Sequence, residues 1–280
     1  MKLKLALPAV LLTAILTGCG TTPTTVIESP KAATPPVNSE LIKATELTAE
    51  WNQLDYSEFD LPDESTDNYS KAQVKMVAED VIGLLENQLK FQQAESRGEV
   101  LEDVDDFIAS APGALAASLQ DRKNHGIRNG KDTWPTVFVQ EVDATYKLED
   151  ESRSTYAWQI KEKSMFDTKG IAVTIFHRTF YRITEPGQEA NFITVGRWIE
   201  LSTIDPDYAA RSKDYAWHLG YAYNGAEVCK LTQASLLAPT PDKTEKDESL
   251  QLASVPTTSF APETKFEVDQ EALEAAAKKC

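Results

Sequence analysis

Three histidines and three cysteines carry most of the reactive chemistry available to this chain. His177 and His218 fall in stretches rich in aromatics, with Glu200 and Asp214 as carboxylates able to orient an imidazole. Such a pair would do acid–base work, because histidine titrates near neutral pH and a carboxylate fixes its tautomer. No spacing ties the two histidines together, so each is read first as a strand residue satisfied by a neighbour or by solvent. His125, between Asn124 and Gly126, is read as a loop residue meeting water. Other constellations fail on spacing. The run from Gly126 to Asp132 is laid out somewhat like a phosphate loop, but it has one residue too few between its glycines and Asp132 where a magnesium-binding hydroxyl is needed. The run from Asp63 to Asn68 sets oxygen ligands at alternate positions as calcium loops do, yet Asn68 stands where glycine is required and Val74 where a bidentate acid is required. The common hydrolase and zinc signatures are missing. The residues therefore nominate no catalytic group, no metal and no cofactor.

Cys19 is different, because its neighbours supply a mechanism. Lys2 and Lys4 make a basic start, Leu5 to Leu16 an uncharged apolar run, and Leu16, Thr17 and Gly18 lead directly to Cys19. This is the layout of a secretory signal, and its apolar run is well short of the roughly 20 residues that span a bilayer as a helix. The segment resembles the lipobox of bacterial lipoproteins. That resemblance implies that the Cys19 thiol receives a diacylglycerol, that residues 1–18 are removed, and that the mature chain is held by palmitate-like acyl chains at the cell membrane or outer membrane, facing away from the cytoplasm. Two or three chains hold stably where one holds only reversibly.

Charge narrows the partners. The chain of 280 residues carries a formal charge of −16, which argues against nucleic acid, since that partner needs basic surface. An anionic membrane would also repel it, leaving the acylated Cys19 as the means of membrane attachment. Cys229 and Cys280 remain in a compartment where disulfides persist. A bridge between them is possible, but Cys280 ends a polar tail, and a small buried apolar side chain is the plainer account of Cys229.

The elements that must position these residues follow from periodicity. Residues 19–38 form a Thr/Pro-rich tether. A helix is expected from Ser39 to Leu54, and an acidic loop from Asp55 to Asn68. A long helix opens at a Ser70/Gln73 capping box and puts Val74, Val77, Val81, Leu84, Leu85 and Leu89 on one face. Helices over Glu99 to Ala109 and Ala114 to Lys123 come next. The period then changes to two. A strand over Val142 to Leu148 is expected to turn at Glu149 to Ser154 and return as a second over Tyr156 to Lys161. A long strand from Ile171 to Thr184 is bent or bulged where Arg178 and Arg182 interrupt its pattern. A turn at Pro186 and Gly187 leads to a fourth strand from Asn191 to Ile204, and Asp205 with Pro206 opens a short helix. A fifth strand carries Tyr215 to Tyr223, Asn224 and Gly225 make a hairpin turn, and a sixth strand starts at Glu227. From residue 239 to 280 the composition is that of a disordered acidic tail.

Helices followed by antiparallel strands imply one α+β domain over residues 39–238, with N-terminal helices packed on a curved antiparallel sheet of about five to six strands. The layout resembles cystatin-like and nuclear-transport-factor-like folds. Trp158, His177, Trp198, Trp217 and Tyr221 lie on strands that should be neighbours, and are the candidates to line an apolar cleft. The functional expectation is a lipid-anchored envelope protein presenting a binding or assembly domain to a protein or a small apolar ligand. The alternative is an enzyme using His177 or His218 with a nearby carboxylate.

Overall fold

The computed structural model describes residues 38–92, 108–109, 111, 113–125, 127–128, 131–132, 141–234, 236–255, 275, 278 and 280. The leader, Cys19, the tether and most of the helix expected over Glu99 to Ala109 lie outside the described residues. The first described element is α1, Ser39–Leu47, started by the Asn38 side chain accepting from the Leu41 amide at 3.0 Å. It ends earlier than expected, so that Trp51 and Leu54 leave the helix and Asn52–Gln53 forms the short strand β1. A single 3-10 turn, Tyr56–Glu58, buries Tyr56.

Helix α2, Lys71–Gln92, opens with the expected capping box: the Ser70 amide donates to Gln73 Oε1 at 3.1 Å, and the Gln73 amide to Ser70 Oγ at 3.4 Å. Val74, Val77, Val81, Leu84 and Leu85 are buried, as their spacing requires. Then come α3, Gly113–His125; the small pair β2, Ile127–Arg128, and β3, Lys131–Asp132; and β4, Glu141–Val142, with β5, Lys147–Leu148. The sheet proper is built from β6, Arg153–Met165; β7, Thr168–Thr184; β8, Asn191–Thr203; and β9, Ala216–Asn224, each antiparallel to the next. With β1 on the edge of β6 and β5 against the end of β7, this makes an open antiparallel sheet of six strands. The α+β class follows directly.

Local signals placed several junctions correctly. The Gln188 amide donates to the Glu185 carbonyl at 2.9 Å across Pro186 and Gly187, the latter at φ 81°, a conformation glycine adopts without steric cost. Helix α4, Pro206–Ser212, is capped by Asp205, whose carboxylate accepts from the Tyr208 amide at 3.0 Å.

Four expectations are corrected. The strands before and after Glu149 to Ser152 do not pair with each other. Both lie along the same edge of β7, where Lys147 opposes Thr184 and Arg153 opposes Phe180, so the intervening residues bulge out instead of turning the chain back. Strand β7 carries no bulge at its arginines, since one-to-one pairing with β8 continues from Ile171 to Ile183. The sixth strand is replaced by α5, Val228–Ala234, in which the Glu227 carboxylate accepts from the Cys229 amide at 3.1 Å and so starts a helix. The first part of the region expected as a disordered tail, residues 239–255, folds back into the domain, while residues 256–274 lie outside the described residues. β10, Leu236–Leu237, pairs in parallel with β4, and α6, Lys243–Ser254, starts at the Asp242 cap and buries Leu250, Leu252 and Ala253. Three apolar residues on one side of a polar helix suffice once Phe176, Phe180 and Phe192 are there to receive them.

Helices therefore cover both faces of the sheet. One face packs against α2, α3 and α4 through Ile171, Val173, Ile175, Ile199 and Leu201, and the other holds α1 and α6 against Phe180 and Phe192.

Candidate functional site

Strand parity decides which side chains can meet. His177 stands opposite Tyr156 on β6 and Arg197 on β8, so all three share the α2 face. Tyr56 is laid over them by the 3-10 turn. Its ring meets the His177 ring edge-on at 5.5 Å, and its hydroxyl lies 3.4 Å from Thr179 Oγ1. The segment carrying Tyr56 is clipped to β6: Phe59 stacks on Tyr156 at 3.9 Å, the Tyr156 hydroxyl accepts from the Asp60 amide at 2.6 Å, and Trp158 Nε1 donates to the Asp60 carbonyl at 2.8 Å.

The result is a polar cluster inside the apolar core. His177 is 1% exposed and Arg197 4%. Burial, and then the adjacent Arg197 charge, pushes the His177 imidazole well below its ordinary pKa, so it is neutral. Neither ring nitrogen has a protein hydrogen-bond partner. Burial, reinforced by Tyr181, raises the Tyr56 phenol, which stays protonated. A neutral imidazole beside a guanidinium and two phenols can donate or accept hydrogen bonds but makes a poor general base.

The expected carboxylates are elsewhere. Glu200 opposes Thr174 and His218 and so faces the side away from α2. There His218 Nδ1 is 3.4 Å from Glu200 Oε1, but Lys163 Nζ holds the same oxygen at 2.6 Å and the imidazole is 62% exposed. This is an imidazole–carboxylate pair on an open surface, with the carboxylate already neutralised by an ammonium group.

The five candidate pocket residues do not all share one face of the sheet. Trp158, His177 and Trp217 belong to the α2 face, Trp158 and Trp217 as partly buried residues packed on the core. Trp198 is on the opposite face with Phe176, Leu252 and Val255. Tyr221 is in register with Arg197 on β9, and its side chain lies outside the described residues. Their strands are neighbours, as expected, but the registers that sort them between faces are set by pairing across the sheet and are not written in any one strand.

One further residue stands out that periodicity treated only as an interruption. Arg178, on the α6 face, is fully buried. Its Nη1 donates to the Leu252 carbonyl at 2.7 Å and to the Val255 carbonyl, and its guanidinium sits 4.9 Å from the centre of the Trp51 ring. Burial lowers its pKa to about 10, which leaves it charged and able to cap the C-terminal end of α6. Cys229 is joined to Cys280 by a disulfide, with Cα atoms 5.4 Å apart; the apolar account of Cys229 is thereby replaced.

Among the described residues no group of three or more histidine, cysteine or acidic side chains is placed to hold a metal, and no helix is long and apolar enough to cross a membrane. Compared with known families, curated proteins and solved structures, the chain matches none.

Proposed function

We propose that this is a lipid-anchored protein of the bacterial cell envelope, acylated at Cys19, whose α+β domain binds or assembles with a protein at the membrane surface. The observation that carries the reading is the order basic start, apolar run, Leu16, Thr17, Gly18, Cys19. Three others support it. The Cys229–Cys280 bridge suits an oxidising compartment outside the cytoplasm. A charge of −16 leaves the acyl chains, and not electrostatics, to hold the domain at an anionic surface. The aromatics divide between two faces of the sheet, which favours a protein partner over a small apolar ligand held in one cleft.

Intact mass of the protein recovered from membranes, with and without Cys19→Ser, tests the anchor. The wild-type chain should begin at Cys19 and carry the mass of a diacylglycerol plus any further acyl chain, whereas Cys19→Ser should lose that mass and leave the membrane fraction. A wild-type chain that begins at Met1 without added mass overturns the reading.

A further inference from the structure

The pairing of Met165 with Thr168 leaves Phe166 and Asp167 as the two-residue turn of the β6–β7 hairpin, at φ 49° and 62°. Two left-handed residues in succession form the turn that asparagine and glycine adopt most readily, and a bulky side chain is a poor occupant of that conformation. Phe166 occupies it while 90% exposed, so it gains almost no burial in return. A bulky residue held against the turn's own chemistry, with no burial gained inside the chain, is the kind of local inconsistency that marks a functional position.

Its position strengthens the case. The Asn38 amide group donates to the Ala190 carbonyl at 3.3 Å, so the domain's first described residue lies beside the loop that joins β7 to β8. Phe166 is at the other end of β7, a strand of 17 residues, roughly 55 Å long at about 3.3 Å per residue. Ile204 and Tyr208, 46% and 53% exposed, are at the Phe166 end too, where the Tyr69 hydroxyl donates to both the Lys169 and Ile204 carbonyls. This end is acidic. Asn68 bonds both oxygens of Glu162 at 2.8 and 2.7 Å and brings in the loop that carries Glu64 and Asp67. Asp167 and Asp207 are exposed there as well, while Lys71, Lys163 and Lys169 are engaged by Asp63, Glu200 and Glu162.

We infer that Phe166 is the anchor residue of a protein-docking tip, and that its partner presents an apolar pocket rimmed by lysine or arginine. The acidic rim selects against an anionic lipid surface and for a basic protein one. The docking chemistry does not rest on the anchored reading above.

The full-length protein with Phe166 replaced by p-benzoylphenylalanine, irradiated in isolated envelopes, tests the inference, with purified full-length wild-type protein or Phe166→Asn added as competitor. A protein adduct is expected from position 166 and not from the same probe at Ile42, which is exposed on α1, and the adducted peptide should be apolar with flanking basic residues. Wild-type competitor should suppress the adduct, and Phe166→Asn should need about thirtyfold more to do so, as for loss of an interface anchor. Because asparagine accepts a positive φ, that variant should melt at or above the wild-type temperature, which separates lost docking from lost folding. Neutralising the rim with Asp67→Asn and Asp167→Asn should also weaken competition. Adducts to lipid alone, no adduct specific to position 166, equal competition by Phe166→Asn, or indifference to the rim charges would each overturn the proposal. Intact mass of the same preparation reports on Cys19 separately, so failure of the anchor and failure of the docking tip give different results.

Discussion

At the scale of single residues, His177 has the sharpest consequence. Its imidazole is neutral because burial and Arg197 both oppose the proton, while in the unfolded chain it titrates at its ordinary value near 6.5. A depressed folded pKa means that the unfolded state binds the proton first. The stability this group supports is therefore complete above pH 6.5 and is lost as pH falls below that value towards the folded one, by up to about 1.4 kcal/mol per pH unit. His177→Phe keeps a ring against Tyr56 and removes the titration. The difference in melting temperature between pH 7.5 and pH 5.5 should shrink in that variant, and an unchanged difference would show that other groups set it. Arg178 is the opposite case: its charge stays on, stabilised by the α6 carbonyls and the Trp51 ring. The two residues adjoin in one strand, and parity sends one to each face.

Among the elements, α5 and the chain end are tied by the Cys229–Cys280 bridge, 51 residues apart in sequence. Closing a loop of that length removes unfolded-state entropy equivalent to about 4 kcal/mol in the chain-entropy description. Cys229→Ser should lower the melting temperature, and reductant should bring the wild-type protein down to the same value without affecting the variant. A wild-type melting curve indifferent to reductant would mean that the bridge contributes no stability. Other elements were legible from neighbouring residues. The Ser70/Gln73 box, the Asp205 cap ahead of Pro206 and the turn at Gly187 each bring together groups within four residues of one another. The β6–β7 hairpin was not legible, because Phe166 stands where such a turn usually takes asparagine, aspartate or glycine, and Asp167 alone does not mark it.

For the whole molecule, the decisive feature is that helices lie on both sides of the sheet. A chain ending at residue 238, the boundary that composition indicates, would lack α6. Phe176, Phe180, Phe192 and Trp198 would lose their cover, and Arg178 would lose the carbonyls that receive its guanidinium. The expected loss is of the same order as the total stability of a domain, about 5–15 kcal/mol. Truncation after Ala238 should therefore yield aggregated protein or protein without a cooperative melting transition. A soluble, cooperatively melting fragment would refute this account of α6.

What the sequence by itself determined is the set of events that short segments decide alone: the start of α2, the α4 cap, the Gly187 turn, the change from helical to strand periodicity and hence the α+β class. These depend on hydrogen bonds and apolar spacing within a few residues. Only the tertiary structure decided that β5 and β6 share one edge of β7, that the polar C-terminal region returns as α6, that Cys229 meets Cys280, and that Trp158 and Trp198 face opposite ways. Each of these depends on partners distant in sequence. A strand's own residues alternate between two faces without stating which face a neighbouring strand or a returning helix will cover.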